Sequence, residues 1–194
     1  MSRVVVPKSA IDLAAEKAAK PVRQIAEPRL VAEFKTIKDS MLREFDDHLV
    51  TRELVQKTSA DPSAFTSYGS LFAFIGFDKN DEPTDIVRQM LATSELKFVR
   101  MSKGVVNFNV TYPSKEDLFA ATPLPWAGGR SWLKGIESGI SGLGRFLTSV
   151  DDEISRSGGG IQSKSKLRSA RFTATKYISE ILNNFIQKID KLSL

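Results

Sequence analysis

Acid–base or metal chemistry in this chain would have to come from Asp46-Asp47 with His48, or from Asp151-Asp152-Glu153, where titratable side chains cluster. Paired carboxylates act as general acid and base, or hold a hard cation, only when their oxygens converge on one point. Successive helix positions point in different directions, so these runs read as solvated or capping residues. His48 is the single histidine, which removes multi-histidine metal sites, and it reads as a solvated or capping group at a helix end. Cysteine is absent, and with it go thiolate nucleophiles, thiolate metal sites and disulfides. No Gly-x-Ser-x-Gly elbow is present. Gly139-x-x-Gly142-x-Gly144 lacks the spacing and the preceding strand of a dinucleotide fingerprint, and Gly158-Gly-Gly160 is not followed by Gly-Lys-Ser/Thr. The expectation is a protein that is not an enzyme and takes no cofactor and no metal.

Charge offers one further kind of chemistry. Lys and Arg outnumber Asp and Glu by 28 to 23, a mild net charge of +5, but the distribution is uneven. Residues 154–179 carry Arg156, Lys164, Lys166, Arg168, Arg171 and Lys176 with no acidic residue. Such a segment can neutralise phosphates, although only Phe172 and Tyr177 are there to stack on bases. A basic arm meeting an acidic neighbour fits equally well.

The elements that would position these groups centre on residues 122–146. This run holds both tryptophans, Trp126 and Trp132, two of the eight prolines and six of the twelve glycines. Pro123 and Pro125 predict an extended segment, Gly128-Gly129 a tight reversal, and Ser131 a helix N-cap. Trp132, Ile136, Ile140, Leu143 and Leu147 then fall at helical spacing, interrupted by Gly135, Gly139, Gly142 and Gly144. Each glycine costs a helix about 1 kcal/mol relative to alanine, so another backbone is expected to press against this one, either inside the core or from a second subunit. Trp126, Arg130, Trp132 and these four glycines are the candidate subunit-interface residues.

The rest of the chain reads as follows. Residues 1–28 form an arm, with a short alanine-rich helix capped by Ser9 and interrupted by Pro21 and Pro28. Leu30, Phe34, Ile37, Met41, Phe45 and Leu49 predict an amphipathic helix ending near His48. Residues 57–70 have the composition of an exposed loop, and Leu71–Phe77, with alternating phenylalanines, suits a short strand or docking segment. Pro83 starts a short helix with Ile86, Val87, Met90 and Leu91 as its apolar face. Phe98–Met101, the loop Ser102-Lys103-Gly104 and Val106–Tyr112 predict an antiparallel hairpin with one apolar face. Ser114 and Asp117 form a capping box. Tyr177, Ile178, Ile181, Leu182, Phe185, Ile186, Ile189 and Leu192 make a helical stripe that either closes the core or packs on an adjacent subunit. The fold class is therefore α+β: a small antiparallel sheet packed with a long helix in the N-terminal half, a glycine-rich helix and a C-terminal helix. The expected organisation is an arm (1–28), an α+β core (29–153), a basic flexible arm (154–176) and a C-terminal helix (177–194). No stretch is apolar enough for a membrane span, so no membrane partner is expected.

Several segments, taken in order, resemble a set of minor virion proteins of tailed bacteriophages: Phe74-Ile-Gly-Phe77 with Pro83, Leu118-Phe-Ala-Ala-Thr-Pro123, Pro125-Trp-Ala-Gly-Gly-Arg-Ser-Trp132, Gly135–Gly144, Ser155-Arg-Ser-Gly158 and Tyr177–Leu182. The similarity covers roughly residues 30–190, and the size and the order helix, short helix, hairpin, glycine-rich helix, C-terminal helix are similar to the neck and tail-completion proteins, which form rings between the head-to-tail connector and the tail tube. The resemblance implies a structural virion protein without catalytic residues, assembled in the host cytoplasm. Its partners would be copies of itself in a ring, other phage connector, neck or tail proteins, and DNA touched non-specifically in the lumen. A DNA-binding protein, or a non-structural assembly factor using residues 154–179, is the alternative.

Overall fold

The structure, a computed structural model, describes residues 12–57, 65, 70–102, 105–125, 127–139, 146–148, 160–162 and 173–192. Helix α1 (Asp12–Asp47) runs for 36 residues, about 54 Å at 1.5 Å per residue. Its predicted stripe is realised: Leu30, Phe34, Met41 and Phe45 are buried. Pro21 and Pro28 do not interrupt it. Pro28 has no N–H to give the Gln24 carbonyl, but Gln24 is exposed, so water can take that acceptor and the helix continues. At His48 the backbone swings to an extended conformation, and α2 (Leu49–Gln56) starts in a new direction. Leu49 therefore leaves the stripe and is exposed.

The run Leu71–Phe77 is not a strand. Leu71–Ile75 form a single-turn helix, α3, in which Leu71, Phe72, Phe74 and Ile75 are all buried. Ser70 caps its start through the Ala73 N–H. Gly76, at φ +96°, ends it, and the N–H groups of Gly76 and Phe77 both donate to the Phe72 carbonyl. Phe77 then folds back on the Phe72 ring at 5.3 Å, the hydrophobic contact expected of a Schellman ending. With four of its five residues buried and only Ala73 exposed, the helix has no polar face, so its sequence carries no helical period.

Helix α4 (Pro83–Ala92) buries Val87 and Leu91 against α1 and α2 but leaves Ile86 exposed. The hairpin follows, with β1 (Glu95–Ser102) antiparallel to β2 (Val105–Thr111). Pairing extends to Ser102 opposite Val105, one residue closer to the loop than expected, and residues 103–104 lie outside the described residues. Val99 is bulged out of the ladder, because Phe98 pairs with Phe108 while Arg100 pairs with Asn107. The bulge reconciles two spacings: Phe98 and Met101 are three residues apart, whereas their partners Phe108 and Val106 are two apart. Leu96 and Val110, at the base of the hairpin, pack on the core. Farther out, Phe98 and Phe108 meet edge to face at 5.8 Å and are half-buried.

The capping box is present as predicted: Ser114 Oγ accepts from Asp117 N at 3.1 Å, and Asp117 Oδ2 accepts from Ser114 N at 3.0 Å, starting α5 (Lys115–Ala120). The Ser114 hydroxyl also donates to Asp117 Oδ2 at 2.6 Å, and this bond, followed by the one from Ser114 N, holds the carboxyl below its usual range. Strands β3 (Pro123–Leu124) and β4 (Ala127–Ser131) pair antiparallel, with Leu124 opposite Ala127 and Pro123 opposite Ser131. The reversal thus falls between Leu124 and Ala127, not at Gly128-Gly129. The glycines lie in the irregular part of β4 instead, where Gly129 takes φ +78°.

Ser131 caps α6 (Trp132–Ser138) through the Lys134 N–H at 3.0 Å, as expected. The helix is shorter than its spacing predicted. It stops at Gly139, φ +84°, and Phe146–Thr148 form strand β5, paired with β6 (Gly160–Gln162). Finally α7 (Ile178–Asp190) closes the core, burying Ile178, Ile181, Leu182 and Phe185. It runs antiparallel to α1, with Tyr177 stacked on Phe45 at 5.8 Å and Phe185 edge-on to Phe34 at 6.2 Å. The architecture is α+β: mainly helical, with small two-stranded antiparallel sheets, the long α1 and the C-terminal α7.

Glu137, on α6, fixes where α7 begins. One carboxylate oxygen accepts the N–H groups of Tyr177 at 3.2 Å and Ser179 at 2.6 Å, and the other accepts the Ser179 hydroxyl at 2.5 Å. A negative charge at a helix N-terminus satisfies free N–H groups and complements the helix dipole. Glu137→Ala should lower the unfolding free energy by about 2 kcal/mol, and Glu137→Gln by less, measured by urea titration. An unchanged midpoint for Glu137→Ala would show that α7 is positioned by packing alone.

Candidate interaction surface

The candidate interface residues separate into buried and exposed sets. Trp132 is 2% exposed, with Phe77 edge-on at 5.9 Å, so its ring is used inside the chain and is not free to anchor a neighbour. Thr122 prepares the site: its carbonyl accepts the Trp132 N–H at 2.9 Å, and its buried hydroxyl donates to the Leu118 carbonyl and meets Ser131 Oγ at 2.8 Å. Gly135 is buried on the same helix. Arg130 and Gly139 are exposed. A Cβ on Gly139 would meet nothing within 4 Å in this chain, so the positive φ that ends α6 is what requires glycine there, not close approach of the chain's own backbone. Trp126, Gly142, Gly144 and the basic residues Arg156, Lys164, Lys166, Arg168 and Arg171 lie outside the described residues.

The possible acid–base group resolves into structural roles. Asp46 holds Arg88 through two guanidinium nitrogens, Nε at 2.9 Å and Nη2 at 3.1 Å, a surface pair joining α1 to α4. His48 caps α2, its Nδ1 accepting from Val50 N at 3.2 Å, and its ring lies 4.6 Å from that of Tyr177. Burial lowers the His48 pKa, and the nearby Glu180 carboxylate partly opposes this. The buried Tyr177 hydroxyl is 2.5 Å from Thr51 Oγ1, and burial pushes its pKa far up. Among the described residues no three His, Cys, Asp or Glu side chains are grouped to hold a metal. Nor is any described helix long and apolar enough to cross a membrane. An open groove of about 320 Å³ between α1 and α7 is lined by Glu33, Thr36, Ile37, Lys188, Lys191 and Leu192.

The described surface also offers features that sequence reasoning missed. Val99 is 57% exposed on the hairpin, Val55 56% on α2 and Ile86 41% on α4. Only the unequal spacing of Phe98–Met101 and Val106–Phe108 hinted at Val99. Lys97, one side of Val99, forms an exposed pair with Glu95. No known protein family matches the chain, and no curated protein or solved structure matches it either.

Trp132→Ala should cost about 3–5 kcal/mol of monomer stability in chemical denaturation. Loss of assembly with monomer stability intact would instead make Trp132 an intersubunit anchor. His48 should make stability pH-dependent. Its folded pKa lies below the unfolded value of about 6.5, so its contribution is complete above that pH and is lost as pH falls toward the folded pKa. The melting temperature should therefore drop on acidification through this window, and His48→Asn, which retains a capping acceptor, should flatten that part of the profile.

Proposed function

We propose that the chain is a structural protein of a tailed-phage virion, forming an oligomeric ring at the neck or the proximal end of the tail. The observation that carries this reading is the use the fold makes of the segments that resemble neck and tail-completion proteins. Phe77 packs on Trp132, Thr122 holds the Trp132 N–H, the Ile136 carbonyl accepts Thr175 N at 3.0 Å, and Glu137 receives Tyr177 and Ser179. Segments far apart in sequence thus meet in one assembly of caps and packed rings. Their described residues specify a shape, as suits a protein whose work is to occupy a position in a particle. The hairpin and the exposed faces of α2 and α4 remain for contacts with neighbours, with Arg130 beside them in the set of exposed candidates.

Purified particles of the phage that encodes the chain provide the test. Mass spectrometry should find the protein at a fixed copy number, and a cryo-EM reconstruction should contain a ring at the head–tail junction with side-chain density for Trp132 inside each subunit. Absence from mature particles would overturn the structural role and favour an assembly factor. A DNA-binding protein would instead show affinity falling steeply between about 50 and 200 mM salt.

A further inference from the structure

The turn between α1 and α2 is held by an imidazole that caps in one charge state only. At His48 the backbone is extended, φ −63° and ψ 138°, and Nδ1 accepts the Val50 N–H at 3.2 Å. That bond satisfies one of the N–H groups that the first turn of a helix leaves without a carbonyl. A proton on Nδ1 turns the acceptor into a donor, so the bond is lost, and it leaves a cation at the N-terminus of α2, where the helix dipole opposes it. Val50 is buried, so its N–H meets water in place of the lost partner only when the turn moves.

The two ends of α2 are fastened differently. At the far end Lys57 accepts the Ser70 hydroxyl on its carbonyl at 2.6 Å, and its Nζ donates to the Lys79 carbonyl at 2.9 Å and to Glu82 at 2.5 Å. No imidazole takes part in those bonds. At the near end His48 and Thr51 both meet Tyr177: the His48 and Tyr177 rings lie 4.6 Å apart, and the Tyr177 hydroxyl is 2.5 Å from Thr51 Oγ1. Three elements bring charged and titratable groups to this turn. Asp46 and Asp47 end α1, the former held by Arg88, while Arg52 and Glu53 lie on α2, and Lys176, Tyr177 and Glu180 lie at and just before the start of α7. Burial disfavours the imidazolium and Glu180 favours it, burial being the larger effect, so the ring takes a proton more readily once it leaves its place.

We propose that His48 is a proton-operated latch on α2: in acid its protonation frees the first turn of α2, while Lys57 keeps the far end in place and α1 stays packed on α7. The open form parts Thr51 from Tyr177 and exposes Val50, and the opening is confined to the start of one helix. The seam beyond Tyr177 is held without an imidazole, by Phe34 against Phe185 and by Lys188 on Ser40. Acid thus loosens one segment before it unfolds the chain. The latch does not depend on the ring proposed above, and a particle that contains no ring leaves it standing.

The single histidine makes the latch readable residue by residue. The NMR signal of its imidazole gives the pKa of His48 in the folded chain, and native-state hydrogen exchange in low urea gives the opening of α2. Between about pH 6.5 and that pKa, the opening constant at the Val50, Arg52 and Glu53 N–H groups should rise by up to about tenfold for each pH unit, and it should level off below. It should exceed the opening constant at Ile181, Leu182 and Phe185 throughout and depend far less on urea, because a local opening exposes little surface. His48→Asn, which keeps a capping acceptor, should make the opening of α2 independent of pH in this window. Exchange of the α2 amides only together with those of α7, with the same urea dependence, would overturn the latch. So would a pH dependence at α2 that survives in His48→Asn.

Discussion

The packing of α7 on α1 is the constraint on which the remainder of the fold depends. The two helices come from opposite ends of the chain, and each presents one apolar stripe that is buried only when the other is in place. Phe34 meets Phe185 and Phe45 meets Tyr177, while at the edge of the seam Lys188 reaches Glu44 and Ser40 and Asn184 reaches Glu44. Docking helices so distant in sequence carries a loop-closure cost. Bonds at the start of α7 help to offset it: Thr175 bonds to Ile136 and Glu137 receives the first N–H groups of the helix. Helix α6 therefore links the glycine-rich middle of the chain to its C-terminal end.

The same economy governs the polar groups of the interior. Thr51 and Tyr177 satisfy each other, Thr122 and Ser94 bond back to carbonyls one turn earlier, and no buried side-chain nitrogen or oxygen among the described residues lacks a partner. A buried hydroxyl without a partner would cost about 1–3 kcal/mol, and these hydroxyls meet a carbonyl or another hydroxyl. His48, half-buried beside Tyr177, adds an imidazole to these hydroxyls. It works as a cap only while Nδ1 is unprotonated, so acid weakens the junction between α1 and α2.

Much of this was legible in the sequence where a local rule acts alone. The Ser114–Asp117 capping box, the Ser131 cap, the hairpin, the α1 stripe from Leu30 to Phe45 and the α7 stripe each depend on residues within a turn or a strand of one another. The misreadings arise where local preference competes with burial or solvent. Proline disfavours a helix interior, yet α1 passes through Pro28 at an exposed turn where water can replace the lost bond. Alternating phenylalanines suggested a strand, yet α3 buries four of its five residues and exposes only Ala73, so no polar face marks it as a helix. The conspicuous Trp132 suggested an anchor for a partner, yet it fills the interior beside Phe77.

Sequence by itself determined the α+β class, the β1–β2 hairpin, the Ser114 and Ser131 caps, the lack of cysteine chemistry and the uneven distribution of charge, because these follow from residue type and from spacings of a few positions. Tertiary structure decided which apolar residues are core and which are surface. Val99, Ile86 and Val55 share their chemistry with the buried Val87, Leu91 and Val50, and only the bulge in β1 and the packing of α2 and α4 on α1 separate the two groups. It also decided that Glu137 should serve a helix forty residues onward. Nothing in the local sequence marks that role, because a carboxylate becomes a cap only when folding brings a helix N-terminus to it.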